Sequence, residues 1–305
     1  MMGWNLSVLE WIQSTRTPFW DGFFSAITWL GEETILVPVF CVLFWCIHKS
    51  FGYRVSFAFF TGTFFNQLLK ITFCIPRPWL LSQRLAPVEG AVEGATGYSF
   101  PSGHVAGSAG IYGGIAWGWK KWAGRISLGL LVLLIAYSRL YLGVHTPLDV
   151  GVSLLLGILL LAVASGVMNF VEKRKNGDRV VLFCGGAACL AGLLYALVRT
   201  GQAEDATLYH DAFKAVGGGL GYFIAWFLET RTIRFKEKAP LWFQGLKAVT
   251  GVLLLLLLQQ GLKTPLTALL GEEFGHFLRY FLVIFFAIAG FPWLFTRMQK
   301  RFLSA

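Results

Sequence analysis

The chain has 305 residues, 56% of them hydrophobic and 14% charged, with a formal net charge of +10 and a mean hydropathy of +0.62. That balance excludes a water-soluble globular domain, and 28 Phe with 12 Trp suit a lipid-facing protein with aromatic belts at the membrane–water interface. The positive charge forms no patch for nucleic acid; it falls in short clusters between long apolar runs, as in the cytoplasmic loops of a polytopic membrane protein.

In chain order, residues 4–31 read as two interfacial or half-inserted helices, broken near Thr17-Pro18 and carrying Glu10, Arg16 and Asp21. Nine predicted spans follow, at 34–48, 54–73, 101–118, 126–143, 147–168, 180–198, 213–229, 246–262 and 277–296, with breaks at Gly, Pro or charge clusters. The expected fold is all-α, a polytopic bundle of about nine transmembrane helices. It divides into interfacial helices at 1–32, a core at 33–170 and four additional spans at 171–305. The five cysteines lie inside apolar segments without ligand spacing and read as small buried hydrophobes. The amino terminus has no basic start followed by an apolar stretch, so no cleaved signal peptide is expected.

With these spans, 17 of the 26 Lys and Arg fall on one face, against only four of the 16 acidic residues: Glu172, Asp178, Glu229 and Glu237. The positive-inside rule makes that face cytoplasmic, which puts the carboxyl terminus inside and the amino terminus outside. Three polar stretches then share the outer face.

The first stretch is Lys70 with Arg77-Pro78. Either cation alone also suits an interfacial anchor, but Arg77 sits between Pro76 and Pro78, and its planar fork matches phosphate oxygens. The second, Pro101-Ser102-Gly103-His104, opens the third span. It offers a helix start with outward N–H groups, a hydroxyl, room for close approach, and an imidazole that titrates near neutrality; mere capping is the alternative. The third runs from Ser138 to Asp149. Arg139 adds another cation, and His145 and Asp149, four apart, would share one helical face. A carboxylate accepting the Nδ1–H of an imidazole leaves Nε2 as a nucleophile. An interfacial ion-pair set would use the same residue types.

Other candidates carry less. Gly217-Gly218-Gly219-Leu220-Gly221 lies within an apolar span and suits close helix packing better than a phosphate loop. Asn66 and Gln67 precede Lys70 by about one turn and would orient it. His210, Asp211, Glu272, Glu273 and His276 fall in outer loops without metal-ligand spacing and read as solvated.

The motifs K-x6-RP, PSGH and SR-x5-H-x3-D, taken in order from Lys70 to Asp149, resemble the three-part signature of the type 2 phosphatidic acid phosphatase superfamily. The resemblance implies phosphate binding by Lys70, Arg77, Ser102, Gly103 and Arg139. It implies in-line attack by His145, oriented by Asp149, and acid–base work by His104, with no metal or cofactor. It makes 33–170 the phosphatase core. The span layout and WIQSTRTPFWD are similar to glucose-6-phosphatase, whereas SRLYLGVHTPLDV is similar to bacterial lipid phosphatases.

The function expected is hydrolysis of a lipid-linked phosphate or diphosphate at the outer face of a bacterial cytoplasmic membrane, with membrane lipids but no nucleic acid as partners. The alternatives are a soluble phosphate ester such as glucose 6-phosphate, phosphotransfer to another acceptor, and a non-catalytic transporter or scaffold.

Overall fold

A computed structural model describes residues 2–303. It is helical throughout, with no strand among the described residues. In chain order the elements are α1 (Met2–Ser14), α2 (Pro18–Trp29), α3 (Glu33–Val42), α4 (Lys49–Phe73), α5 (Pro78–Leu81), α6 (Gly103–Ser108), α7 (Gly114–Gly118), α8 (Trp122–Tyr141) and α9 (Pro147–Lys173). Then follow α10 (Gly177–Gly201), α11 (His210–Leu228), α12 (Leu241–Gly261), α13 (Lys263–Phe285) and α14 (Phe291–Leu303). A π-helical turn at Ala109–Gly113 joins α6 to α7, so the rod from Gly103 to Gly118 is continuous.

Among the described residues, five stretches are long and apolar enough to cross a membrane: α8, α9, α10, α12 and the run Lys263–Gln299. The bent pair Pro18–Trp29 and Glu33–Ile47, meeting at 46°, would make a sixth. The expected count of about nine is not reached. The predicted spans at 54–73, 101–118 and 213–229 are helices, yet none passes the same test. The rod holding the third span is short. Inward faces of α4 and α11 are lined with protein contacts, including Ser56, Asn66 and Lys70 on α4 and Gly217, Gly218, Gly219 and Gly221 on α11. A helix wrapped by other helices does not need the apolar surface that lipid demands, so hydropathy under-reports it.

The chain forms two compact units, one of residues 1–37 with 55–164, the other of 38–54 with 165–305. In the first, α1 and α2 pack on α8 around Ile12, Phe24, Tyr141, Leu142 and Val144. Thr17 caps α2, its side chain accepting from the Trp20 N–H, and Pro18 follows at the first position, where no N–H is needed. Thus the predicted break at Thr17-Pro18 is where one short helix ends and the next begins. Arg16 ties this corner down, its Nε donating to the Tyr141 carbonyl at 2.9 Å and its Nη1 to that of Ala86.

In the second unit, α11 packs against α10 and α13. A Cβ on Gly217 would lie 2.1 Å from the Phe277 carbonyl oxygen, and one on Gly221 2.5 Å from that of Phe281. The glycine run is therefore a helix-packing face, as its apolar setting predicts. Lys49 Nζ meets the buried Glu229 at 2.5 Å, and Glu229 also accepts from the Phe235 N–H at 2.9 Å. The buried Lys247 donates to the Trp45 and Glu237 carbonyls at 2.9 Å each. These charges are paired or hydrogen-bonded because an isolated buried charge is costly.

Candidate active site

All eight predicted site residues lie within the first unit. Three turns of chain deliver them. The helix α4 ends at Phe73, and Arg77 stands at the start of the short α5 with Pro78 behind it. A long connection then returns through residues 96–102 to the start of α6. Last, α8 ends at Tyr141, and the chain reverses through Gly143, whose φ of +75° favours glycine over any residue with a Cβ. That reversal presents His145 in a loop, just before Pro147 opens α9.

His145 and Asp149 are therefore not stacked on one helical face, as their spacing predicts. Asp149 sits in the first turn of α9 and closes a capping box. Its Oδ2 accepts from the Thr146 N–H at 2.7 Å, while its own N–H donates to Thr146 Oγ1 at 3.3 Å. The same Oδ2 accepts from Ser99 Oγ at 2.6 Å and lies 3.5 Å from His145 Nδ1. One carboxylate oxygen thus caps a helix, holds the incoming loop and faces the imidazole.

Arg77 makes contact on the other side of that ring. Its Nη1 is 3.1 Å from His145 Nε2 and 3.1 Å from the Val144 carbonyl, to which it donates. Nε donates to Gly97 at 3.0 Å and Nη2 to the Thr96 carbonyl. A guanidinium only donates, so Nε2 must present its lone pair and the proton must sit on Nδ1, toward Asp149. That is the tautomer in which Nε2 is nucleophilic. Arg77 spends most of its fork on backbone carbonyls, so it clamps the loop as well as carrying charge. Lys70 similarly reaches the Tyr98 carbonyl.

Arg139 differs. It is 2% exposed; Nη1 donates to Thr28 Oγ1 at 2.6 Å, while Nε and Nη2 are buried without partners among the described residues. The Ser102 hydroxyl is also buried and unpartnered. Ser102 occupies the N-cap of α6, yet its side chain makes no capping bond, and helical geometry begins at Gly103, not at Pro101. The backbone fixes Ser102, its N–H donating to the Asp149 carbonyl at 3.3 Å and its own carbonyl accepting from Asn66 Nδ2 at 3.3 Å. Asn66 therefore positions the α6 start instead of orienting Lys70. A Cβ on Gly103 would meet only Asn66 Oδ1, at 3.9 Å, so packing leaves that side open.

His104 Nε2 is likewise buried without a partner, close enough to Arg139, His145, Arg77 and Lys70 for their charges to act on it. Unsatisfied buried polar atoms cost about 1–3 kcal/mol each and are rare unless they serve a ligand. Here Ser102 Oγ, His104 Nε2 and two nitrogens of Arg139 are gathered beside one imidazole. Ser99, Thr28 and Thr146 complete the arrangement; Thr146 carries the capping-box spacing with Asp149, but Ser99 and Thr28 do not stand out in the sequence. Ser99 lies 50 positions from Asp149 and Thr28 lies 111 from Arg139, so no local spacing flags them.

Burial, then the charges of Arg77, Arg139 and Lys70, hold His145 well below the ordinary imidazole pKa, so it stays neutral at pH 7. The unfolded chain takes a proton on this residue as pH falls through about 6.5, whereas the folded protein does not. This contribution therefore erodes stability as pH drops below 6.5 and levels off only beneath the lowered folded value. Thermal unfolding in detergent between pH 5 and 8 should show a steeper acid-side decline in Tm for the wild type than for His145→Asn. Parallel curves would show that burial imposes no such neutrality.

Two family models match the chain: the PAP2 superfamily over residues 51–173 and the transmembrane extension of PAP2 superfamily phosphatases over 213–301. Together they cover well over half of it. Among curated proteins, phosphatidylglycerophosphatase B of Bacillus subtilis is 29% identical over 53% of this chain and 80% of its own. Lipid A 4'-phosphatase of Bacteroides thetaiotaomicron is 29% identical over 50% of this chain and 72% of its own. A crystal structure of Aquifex aeolicus LpxE is 30% identical, with a TM-score of 0.47, and the match covers 53% of this chain and 94% of that one. With the three motifs gathered around one imidazole and both models matched in their proper order, the chain belongs to the PAP2 superfamily and is an integral membrane phosphatase, a hydrolase of phosphoric esters.

Proposed function

We propose that this phosphatase hydrolyses a lipid-linked phosphate or diphosphate, of phosphatidate, phosphatidylglycerophosphate or undecaprenyl diphosphate type, through a phosphohistidine on His145. The observation that carries the mechanism is the pairing of Arg77 Nη1 with His145 Nε2 at 3.1 Å, which requires a lone pair on the attacking nitrogen. Phosphate oxygens take the unpartnered donors of Arg139 and Ser102, the N–H groups at the start of α6 near Gly103, and the charges of Lys70 and Arg77. Nε2 forms its bond to phosphorus as the bond to the leaving oxygen breaks, and His104, which takes up a proton once the bound phosphate anion offsets the surrounding cations, gives that proton to the leaving oxygen. Asp149 faces the Nδ1–H of the now cationic ring. His104 then takes a proton from water, whose oxygen displaces His145 and frees inorganic phosphate. The cationic cradle stabilises charge spread over the transferring group.

The lipid class is supported by the names of the two curated relatives and by the position of α2. Its Thr28 holds Arg139, while Phe19 and Trp29 on the same helix are 71% and 66% exposed, as interfacial aromatics are. The site is thereby one helix from a surface suited to head groups. On a nine-span layout, the charge asymmetry of the loops favours an outer-face site and a cytoplasmic carboxyl terminus, and the two bacterial relatives suit a bacterial cytoplasmic membrane.

The test is phosphate release by the purified protein in detergent with EDTA present. Phosphatidylglycerophosphate and phosphatidate should be preferred over glucose 6-phosphate by at least about 10²-fold in kcat/KM, since remote binding energy assists the reacting centre. Equal or reversed turnover would assign a soluble ester instead. Consumption of substrate without inorganic phosphate would assign transfer to another acceptor.

A further inference from the structure

The second compact unit holds a side-chain cluster that the phosphatase chemistry does not use. His210, at the start of α11, meets Glu272 and His276, which lie one helical turn apart just after α13 is broken at Gly271 (φ +79°, ψ 171°). One ligand-type atom from each of the three lies within 4.8 Å of the other two. His276 Nε2 is 3.1 Å from Glu272 Oε2, and the His210 and His276 rings are 5.3 Å apart at 57°. The second nitrogen of His276, Nδ1, is buried without a partner among the described residues.

We propose that His210, Glu272 and His276 form a zinc-class divalent metal site that clamps α11 to α13. Two imidazoles and one carboxylate are a set that zinc accepts with a fourth position left for water. Bonds of about 2.1 Å place ligand atoms about 3.4 Å apart in a tetrahedron, so the Glu272–His276 separation is already right. Closing the remaining distance needs only side-chain rotation by His210, which is half-buried, and Glu272, which is exposed. The i, i+4 spacing of Glu272 and His276 sets both on one helical face.

The surroundings are compatible with a cation. Lys214 and Arg279 stand near His276, but Lys214 Nζ is paired with Asp211 Oδ1 at 2.6 Å, and Arg279 lies against the Tyr280 ring at 5.1 Å. Asp211 also stands near, and Glu273 follows Glu272 in the chain. The clamp has a structural rationale as well. The same two helices approach closely through Gly217 and Gly221 against Phe277 and Phe281, and a metal at their start would pin the end of that interface nearest the break at Gly271. Carriage of the ligands on helices that pack together, rather than on solvated loops, is what the sequence spacing hides.

The experiment uses full-length protein in detergent, stripped with EDTA and titrated with Zn2+ alone. Tm should rise by on the order of 5 °C at micromolar Zn2+, with no response to Mg2+. Co2+ should give the visible absorption of a tetrahedral site. His210→Gln and Glu272→Gln, both outside the phosphate site, should lose most of the shift and the absorption while phosphate release in EDTA is unchanged. No shift in the wild type would overturn the proposal, as would an equal shift in both variants, which would mean that the metal binds elsewhere. Because phosphate release is measured separately, failure of the metal site leaves the phosphatase mechanism standing.

Discussion

His145→Ala should reduce phosphate release by at least about 10³-fold, to the background of the uncatalysed reaction in the same micelles. Among the described residues, His145 is the imidazole that Arg77 holds and Asp149 faces, whereas the unpartnered His104 Nε2 makes neither contact and is not poised to take over the attack. The complementary variant separates the two chemical steps. In His104→Ala, an alkoxide leaving group loses its proton donor, so lipid phosphate turnover falls by about 10²–10⁴-fold. With p-nitrophenyl phosphate the leaving oxygen needs no donor, so Nε2 is phosphorylated, but water is not activated and the intermediate stalls. Brief reaction of His104→Ala with a ³²P-labelled aryl phosphate should therefore trap an acid-labile, alkali-stable label, absent from the His104→Ala/His145→Ala double variant. Wild-type turnover in His145→Ala, with Tm unchanged, would remove the nucleophile from the scheme. Label persisting in the double variant would move it to another residue.

How much of this was legible in advance depended on whether a partner was local in sequence. The convergence of Lys70, Arg77, Ser102, His104, Arg139, His145 and Asp149 was legible from their place at the ends of apolar spans, where charges and imidazoles are costly without a use. Their scaffolding was not. Ser99 and Thr28 act on residues far along the chain, and isolated Ser or Thr has no pattern to mark it. The His145–Asp149 spacing fitted a helix, yet Pro147 begins α9 only after His145, so the ring belongs to the loop and the carboxylate to the first turn. Three helices predicted to span were found as helices but are too short or too polar for the span criterion. Hydropathy registers lipid contact, which an inner helix lacks. The cluster of His210 with Glu272 and His276 stayed hidden because helix packing, not spacing, brings it together.

The largest remaining effect concerns Asp149, whose carboxylate has two duties that substitution can pull apart. Oδ2 caps α9 through the Thr146 N–H and receives Ser99 Oγ, so Asp149→Ala removes the cap and orphans two buried donors. A loss of about 2–4 kcal/mol in stability is expected from the cap and the unmet hydrogen bonds together, read as a lower Tm. Asp149→Asn retains a carbonyl oxygen that can accept from Thr146, so Tm should change little. The asparagine carries no charge, however, and the imidazolium created when Nε2 bonds to phosphorus loses its counter-charge 3.5 Å away. For Asn, kcat should then fall by about 10²–10³-fold with KM nearly unchanged, because the missing interaction exists only once positive charge develops on the ring. Ser99→Ala serves as the control, since it removes one donor from Oδ2 and leaves both the charge and the cap. Were Asp149→Asn to turn over lipid phosphate at the wild-type rate, the carboxylate would be a helix cap alone, and the ring would be oriented by Arg77 and the loop that carries it.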